Sequence, residues 1–395
     1  MGGKSSLLLV LGFTLAFLLV LRQSSGLLGR STDNMVNFNA NQSQKNIASS
    51  GANMALSELM RNSNWNTGYN NVAFQGGVLN TTISNSPFFD TLWINSSADL
   101  PGLPDYKIRV GLDRIAFNYY GYYANKWGTG YLVKGDTVSG PFHTNDILNT
   151  YNDPVFLGTV SAKGGINKQG TETPKFLGGM PSIGKDIPFN IDATKLPGIA
   201  QTGGRFIYDS SGANKSIDMR VIFQANGTAK IQEKLTSSGT WGSVKTVDLS
   251  TYAPNGVIFN KSGNIYLSGT VNGKYTIGTG KASDGNQGRV YLEDDIKYRE
   301  VPFTIDPTTK EAKIIQNCIV LLGIEAIKKI EVLINTANKD NIIIDAACLN
   351  HDGGITVKDL TPSSPKMGKM ILRGSLIEDA AQITGYFNGA GYNQI

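Results

Sequence analysis

Cysteine and histidine are both scarce in this sequence. Its 395 residues include two cysteines, Cys318 and Cys348, and two histidines, His143 and His351. Two cysteines cannot build a framework of several disulfides, and a closed zinc site needs about four ligands. Neither cysteine lies in a CxxC pair, so we expect both thiols to be reduced and buried, and we predict no metal and no cofactor.

Charge is scarce as well. Charged residues make up 17% of the chain and hydrophobic residues 40%, and the net charge is +5. This balance allows a sizeable core and excludes a disordered tail. The basic residues form no cluster, so we predict no nucleic-acid partner. The 46 glycines are typical of many short strands joined by turns.

The N-terminus contains a long apolar run, SSLLLVLGFTLAFLLVL, at residues 5–21. At about 1.5 Å per residue the run reaches roughly 25 Å, close to the shortest membrane-spanning helix. Its candidate membrane or filament residues are Leu7, Leu8, Leu9, Val10, Leu11, Phe13, Leu15, Phe17, Leu18, Leu19, Val20 and Leu21. Three interpretations remain open: a cleaved secretory signal, a plain anchor, and a pilin-type helix that leaves the membrane for a filament core.

The next segment has a helical stripe of small and apolar residues. The stripe consists of Ala48, Ala52, Ala55, Leu56 and Leu59. This spacing places them on one helix face, where small side chains allow close packing. We therefore expect a helix from residue 5 towards residue 60, with a break near residues 24–26. The alternative is a linker followed by an ordinary surface helix.

The body of the sequence reads as β structure. Residues 103–133 alternate and then become aromatic, which favours aromatic pairing within a sheet over a carbohydrate or nucleic-acid platform. Residues 217–236 predict a hairpin, with Asn226-Gly227 as a two-residue turn. We expect this hairpin to lie in an insertion at about residues 200–255.

The last third of the sequence repeats strand-like segments every 24 to 28 residues. The segments begin near Ile265, Val290, Cys318, Ile342 and Met370. A regular period in this range is typical of solenoids. Hairpin signals are sparse after residue 263, which favours a parallel β-helix over a β-sandwich. The repeat predicts one inward column made of these five residues.

The stretch GDTVSGPFHTND, residues 135–146, is rich in groups that could do chemistry. His143 could act as a general base, oriented by Asp136 or Asp146, with Ser139 or Thr137 as nucleophile. No nucleophile elbow surrounds either hydroxyl. We favour a structural interpretation, in which the motif residues close hydrogen bonds at a corner of the fold. The predicted structural motif is Asp136, Gly140, Pro141, His143, Thr144 and Asn145.

Two further polar stretches give weaker signals. Glu293 and Asp295 share one face of a strand and could bind calcium, but such a site wants about six oxygen ligands. The sequence offers no second acidic group one repeat away. NHDGG, at residues 350–354, is typical of a turn.

Several of these features together resemble a known family. The apolar span followed by KNIASSGANMALSEL resembles the PilX-like minor pilins. The body resembles an uncharacterised bacterial extracellular domain with a G-D-x-x-x-G-P-x-H-T-N motif, here residues 135–145, and a following P-V-F strand, here 154–156. GRVYLEDDIKY, at 288–298, and the glycine-flanked end of the chain, at 371–395, are similar to further elements of that domain.

The N-terminus departs from the type IV pilin pattern at one position. Type IV pilins usually have a glutamate five residues into the mature chain. Cleavage after Gly3 would place Leu8 there, and cleavage after Gly12 would place Phe17 there.

We therefore expect a mainly β protein with a pilin-like N-terminal helix (1–62), a connecting region (63–133) and a parallel β-helix (134–395). The expected function is non-enzymatic: a cell-surface subunit for filament assembly, adhesion or surface display. Its helix would meet copies of itself or other pilin-like subunits, and the membrane before assembly. The alternatives are a secreted polysaccharide-active β-helix enzyme and a membrane-anchored extracellular passenger with no filament role.

Overall fold

The computed structural model describes residues 2–62, 64–85, 91–113, 117–209, 211, 215–280, 287–301, 303–305, 312–314 and 319–392. The chain forms two compact units, Met1–Ile115 and Ala116–Ile395. It is mainly β with one long N-terminal helix, as the sequence predicts. The region expected at 63–133 is shared between the units, because strands from its two ends pair in different sheets.

The first unit consists of one long helix and a four-stranded sheet. Its elements are α1 (Gly2–Arg61), β1 (Tyr69–Phe74), β2 (Gly77–Asn85), β3 (Thr91–Asp99) and β4 (Tyr106–Asp113). The strands pair antiparallel in the order β1-β2-β3-β4. The helix α1 continues through residues 24–26, so the break expected there does not occur.

The second half of α1 packs on this sheet through small side chains. Four residues of the predicted stripe are buried: Ala48, Ala52, Ala55 and Leu59. They pack with apolar residues of the strands: Leu79, Leu92, Ile94 and Ala98. A Cβ at Gly51 would lie 2.3 Å from Leu79 Cδ1, so this glycine lets the helix backbone approach the sheet. The stripe prediction is confirmed.

In its described residues, the second unit contains strands of 2 to 12 residues and three short helical elements. The helical elements are η1 (Phe117–Tyr119, 3-10), α2 (Lys195–Gly203) and α3 (Leu249–Tyr252). The strands are β5 (Tyr122–Lys126), β6 (Leu132–Val133), β7 (Thr137–Val138), β8 (Phe142–Thr144), β9 (Leu148–Tyr151), β10 (Val155–Phe156), β11 (Val160–Ala162), β12 (Ile166–Gln169), β13 (Lys175–Phe176), β14 (Ser182–Ile183), β15 (Arg205–Ile207), β16 (Ile217–Phe223), β17 (Thr228–Leu235), β18 (Lys245–Asp248), β19 (Val257–Asn260), β20 (Ile265–Val271), β21 (Lys274–Thr279), β22 (Arg289–Tyr298), β23 (Phe303–Ile305), β24 (Ala312–Ile314), β25 (Leu321–Ala326), β26 (Lys329–Val332), β27 (Asn341–Asn350), β28 (Ile355–Val357) and β29 (Lys369–Ala380).

Most strand pairs of this unit are parallel and in register. One ladder runs through β19, β21, β25, β27, β29, β5, β8, β11 and β14. Its inner column is buried and consists of Ile277, Ile324, Cys348, Leu376, Tyr122, Phe142 and Val160. The last long strand, β29, therefore pairs with the first strand of the unit, β5. No local sequence pattern indicates this junction.

The predicted single column of repeats is partly wrong. Ile265 pairs with Val290, and Ile342 pairs with Met370, and all four side chains are buried. Val290, however, continues to Ile330 and not towards residue 342. The register shifts within β22, so its two ends pair with different later strands, β26 and β27. Cys318 lies outside the described residues.

The predicted hairpin forms, with a different turn. β16 and β17 pair antiparallel, but Gln224 bonds Thr228, which leaves a three-residue loop with Gly227 at φ +87°. The positive φ explains the glycine, because other residues are strained there. β16 also pairs in parallel with β20, so one arm of the hairpin belongs to a ladder and the expected insertion at 200–255 is not separate from it.

Residues 184–204, here named the crossing segment, connect β14 to β15. Its first part packs beside β5 and β29: Ile187, Phe189 and Ile191 lie against Tyr120, Tyr123 and Ile377. Its second part forms α2, whose Leu196 and Ala200 pack on Val257 and Phe259 of β19. The segment thus contacts both the middle and one end of the main ladder.

Candidate functional site around His143

The predicted structural motif enters the main ladder at β8. Gly140 lies where neighbouring turns approach most closely, because a Cβ on it would sit 2.9 Å from Gly121 Cα. A Cβ on Gly158, one turn further, would lie 2.3 Å from Gly140 O. Pro141 follows, and its carbonyl accepts a hydrogen bond of 2.9 Å from Gly121 N. The glycines at this corner allow the parallel strands to stack at normal spacing.

Asp136 and Thr144 close local turns. Both are buried, and Asp136 Oδ2 accepts a hydrogen bond of 2.7 Å from Val133 N. Thr144 Oγ1 accepts one of 3.1 Å from Asp146 N. Partial burial alone would raise the pKa of Asp146, but backbone N–H groups, including that of Trp127, hold this pKa below its usual value. Neither aspartate is used to orient His143.

His143 is fully buried and both of its ring nitrogens have partners. Nε2 lies 2.8 Å from Asn145 Oδ1, and Nδ1 lies 2.7 Å from Ser161 Oγ. The Asn145 oxygen also accepts from Ile187 N, which fixes the amide orientation. His143 Nε2 must therefore donate, and in the neutral ring Nδ1 accepts from the Ser161 hydroxyl.

Asn145 fastens the crossing segment to the ladder. Its side chain bonds both backbone groups of Ile187: Oδ1 accepts from N at 2.9 Å, and Nδ2 donates to O at 2.6 Å. The Tyr123 hydroxyl donates to the same carbonyl at 2.8 Å. Asn145 Nδ2 also reaches Asn125 Oδ1 at 3.0 Å. His143 holds Asn145 in the orientation that makes this clamp.

Ser161 is a partner that the sequence did not indicate. It lies opposite His143 because β8 and β11 pair in parallel, a long-range register that the motif itself does not contain. Ser161, His143 and Asn145 have the order of a nucleophile, a base and an orienting amide. The ring of Tyr123, however, stacks on His143 at 5.4 Å, and desolvation lowers the pKa of His143. Because His143 is buried, has a lowered pKa and is covered by the Tyr123 ring, these contacts favour a packing role for it over a role as a general base.

The other polar candidates are engaged in pairs. Glu293 makes two hydrogen bonds of 2.7 Å with Arg220, and Asp295 accepts from Ile343 N at 2.7 Å. His351 lies 2.8 Å from Glu325 Oε1. Across the described ranges, no three His, Cys, Asp or Glu side chains come together as a metal site would require.

Glu378 is a buried acid that was not among the residues predicted from the sequence. It lies on β29 and accepts hydrogen bonds from the Tyr122 hydroxyl at 2.9 Å and from Ile355 N. Burial raises the pKa of Glu378 to about 8, the pKa of Cys348 to about 12, and the pKa of Tyr122 well above its usual value. The available signal in the sequence was an acidic residue that directly follows the apolar pair Leu376 and Ile377.

The first half of α1 is exposed where the sequence predicts membrane or filament contact. All the candidate residues from Leu7 to Leu21 are exposed, and so are Leu27, Met35 and Phe38. By length and composition, α1 from Leu7 to Arg61 includes a stretch able to cross a membrane. A core helix would bury such side chains, so this half of α1 has a different environment from the half that packs on the sheet.

Comparison with known proteins identifies no relative. No protein family, curated protein or solved structure matches this chain.

Proposed function

We propose that this protein is a pilin-like, non-enzymatic subunit of the cell surface. Its α1 is held in the membrane or in a filament, and its second unit is a parallel β-helix displayed outside the cell. The work of the protein is filament assembly, adhesion or display. Its partners are copies of itself or other pilin-like subunits.

One observation carries this proposal: the two halves of α1 have opposite environments. Residues 44–59 are largely covered by the β1–β4 sheet, whereas the apolar run at residues 7–21 is exposed over roughly 22 Å of helix. A bilayer core is about 30 Å thick, so this run lies at the short end of a membrane span. Beyond the run, the exposed apolar side chains lie among polar residues, and a bundle of subunit helices would cover them: Leu27, Leu28, Met35, Val36 and Phe38.

The β-helix part of the proposal is supported by the parallel ladders. Consecutive ladder strands lie in register, and their inward side chains stack in buried columns such as Ile277, Ile324 and Cys348. The close-packed glycines at the Gly140 corner and the crossing segment held by Asn145 are consistent with a rigid extracellular body. The Tyr123 cover over His143 supports a body without catalysis.

Membrane retention tests the role of α1. The full chain is expressed in a bacterial host, and membranes are extracted with alkaline carbonate. Leu15→Arg places a charge in the middle of the apolar run and should release the protein, since a central arginine costs about 2.5–3.5 kcal/mol on insertion. Lys274→Arg, on the exposed start of β21, is the control and should remain in the membrane. Full extraction of the unaltered chain would refute the anchoring.

A further inference from the structure

A cavity of about 320 Å³ lies beside the hairpin of the second unit. Its lining includes Arg205, Ile231, Glu233, Lys245, Val247 and Tyr252. These residues come from β15, β17, β18 and α3, so parts of the chain distant in sequence meet here. Ile231 is buried and Val247 is half-buried, and together with the Tyr252 ring they form the smaller, apolar part of a mostly polar lining.

Three charged side chains line the cavity without forming an ion pair to another described residue. Arg205, Glu233 and Lys245 are exposed, and in the described part of the chain none of them makes an ion pair. Neighbouring charges of the same hairpin do pair: Arg220 bonds Glu293, for example. The cavity therefore combines two cations and one carboxylate that form no ion pair with other described residues.

Tyr252 adds a polar atom to the cavity. Its hydroxyl oxygen is buried and makes no hydrogen bond of regular geometry within the described residues, although the Arg205 side chain lies beside it. The Arg205 guanidinium lies over the Tyr252 ring, 4.9 Å from its centroid, so stacking holds the cation at the cavity. Leaving a buried hydroxyl unbonded is costly, which favours a ligand or water that bonds it.

The wall of the cavity is fixed before any ligand arrives. Gly242 N donates to Glu233 O at 3.0 Å, and Gln232 Nε2 donates to Gly242 O at 2.9 Å. Trp241 packs edge-on against Tyr266 at 5.1 Å, and Arg220 lies 4.2 Å from its ring centroid. These contacts anchor the 241–244 loop, so binding would not require the loop to be ordered.

We propose that this cavity binds a sugar acid, a single hydroxylated ring that carries a carboxylate. Arg205 and Lys245 receive the carboxylate, Glu233 and the Tyr252 hydroxyl bond ring hydroxyls, and Ile231 and Val247 contact the apolar ring face. The volume is at the lower end of ligand sites and suits one ring better than a chain. The excess of one cation matches the ligand's single negative charge. This ligand class goes beyond the structural role proposed above and does not depend on α1.

Ligand-observed saturation-transfer NMR on the full chain in detergent micelles tests the proposal. The probes are D-glucuronate and D-galacturonate, with D-glucose and acetate as controls. At least one sugar acid should bind with a Kd of about 1 mM, typical of so small a ligand. Glucose and acetate should bind at least about tenfold more weakly, because glucose lacks the carboxylate and acetate lacks the hydroxylated ring. Comparing the two acids identifies the stereochemistry preferred.

Matched variants locate the site. Arg205→Gln and Lys245→Gln should each weaken binding about tenfold, and Lys230→Gln should leave it unchanged. Lys230 lies on β17 next to Ile231 but is not part of the cavity lining. Glu233→Gln should also weaken binding of the anionic ligand. If binding depended on charge attraction alone, removing this negative charge would strengthen it. Absence of binding, equal binding of acetate, or equal loss with Lys230→Gln overturns the proposal. Circular dichroism checks that each variant is folded.

Discussion

Replacing Glu378 with glutamine should remove a pH-dependent loss of folding stability that arises at the junction of β29 and β5. Glu378 is fully buried on β29, and its carboxylate bonds the Tyr122 hydroxyl on β5. The junction also has polar contacts nearer the surface, from Asn125 and Lys126 to Asp379. Glutamine keeps the size and one acceptor oxygen of the acid, but it cannot ionise.

The magnitude follows from proton linkage. Burial raises the pKa of Glu378 from 4.5 to about 8, so the folded state holds its proton more tightly than the unfolded chain. The stabilisation is complete below pH 4.5, is lost as the pH rises towards 8, and changes no further above that value. The whole window corresponds to on the order of 5 kcal/mol. Tyr122 and Cys348 stay protonated throughout, because burial raises the pKa of both.

Urea denaturation of the full chain at several pH values from 5 to 9, followed by far-ultraviolet circular dichroism, measures the effect. The informative quantity is the difference between the wild type and Glu378→Gln, since other groups titrate equally in both. The wild type should lose stability relative to the variant as the pH rises from 5 to 8. Parallel curves for the two proteins would refute the buried, proton-binding role of Glu378.

Three further predictions concern stability, each measured by urea or thermal unfolding. Asn145→Ala should cost about 2–4 kcal/mol, because Ile187 N and His143 Nε2 lose their acceptor and Ile187 O keeps only its bond from the Tyr123 hydroxyl; an unchanged midpoint would show that Asn145 does not hold the crossing segment. Gly140→Ala should cost about 1–3 kcal/mol, since its Cβ would meet Gly121 at 2.9 Å; a stabilising effect would contradict the close approach. Ile342→Ala should cost about 2–5 kcal/mol by opening a cavity, and the exposed Lys274→Ala within about 0.5 kcal/mol; similar values for both would contradict the inward column.

Local patterns in the sequence were sufficient for several elements. The alanine stripe predicted the buried face of α1, because helical periodicity and small side chains are local properties. The pairs of Ile265 with Val290 and of Ile342 with Met370 followed from the repeat. Asn226 and Gly227 predicted the hairpin, but the predicted loop of two residues was one residue too short. A three-residue loop with one left-handed glycine has nearly the same composition, so the two cannot be told apart from the sequence.

The pairing of strands that are distant in sequence could not be predicted from local patterns. The pairing of β29 with β5 joins residues more than 250 positions apart, and no local pattern encodes it. The partner of His143 is Ser161 for the same reason, and the aspartates that adjoin His143 in sequence bond local backbone groups instead. The register shift within β22 interrupts the expected column, because the two ends of β22 then pair with different later strands. The cavity at Arg205 assembles four elements that carry no shared motif.

Immunogold electron microscopy of cells in negative stain tests the pilin-like role most directly. An antibody against the second unit is applied to cells that make the full chain and to cells that make Leu15→Arg. For a filament subunit we expect gold along filaments in the first case and no labelled filaments in the second. Gold spread over the cell envelope without filaments would indicate an anchored passenger, and labelled protein free in the medium would indicate secretion. Either result would contradict a filament subunit.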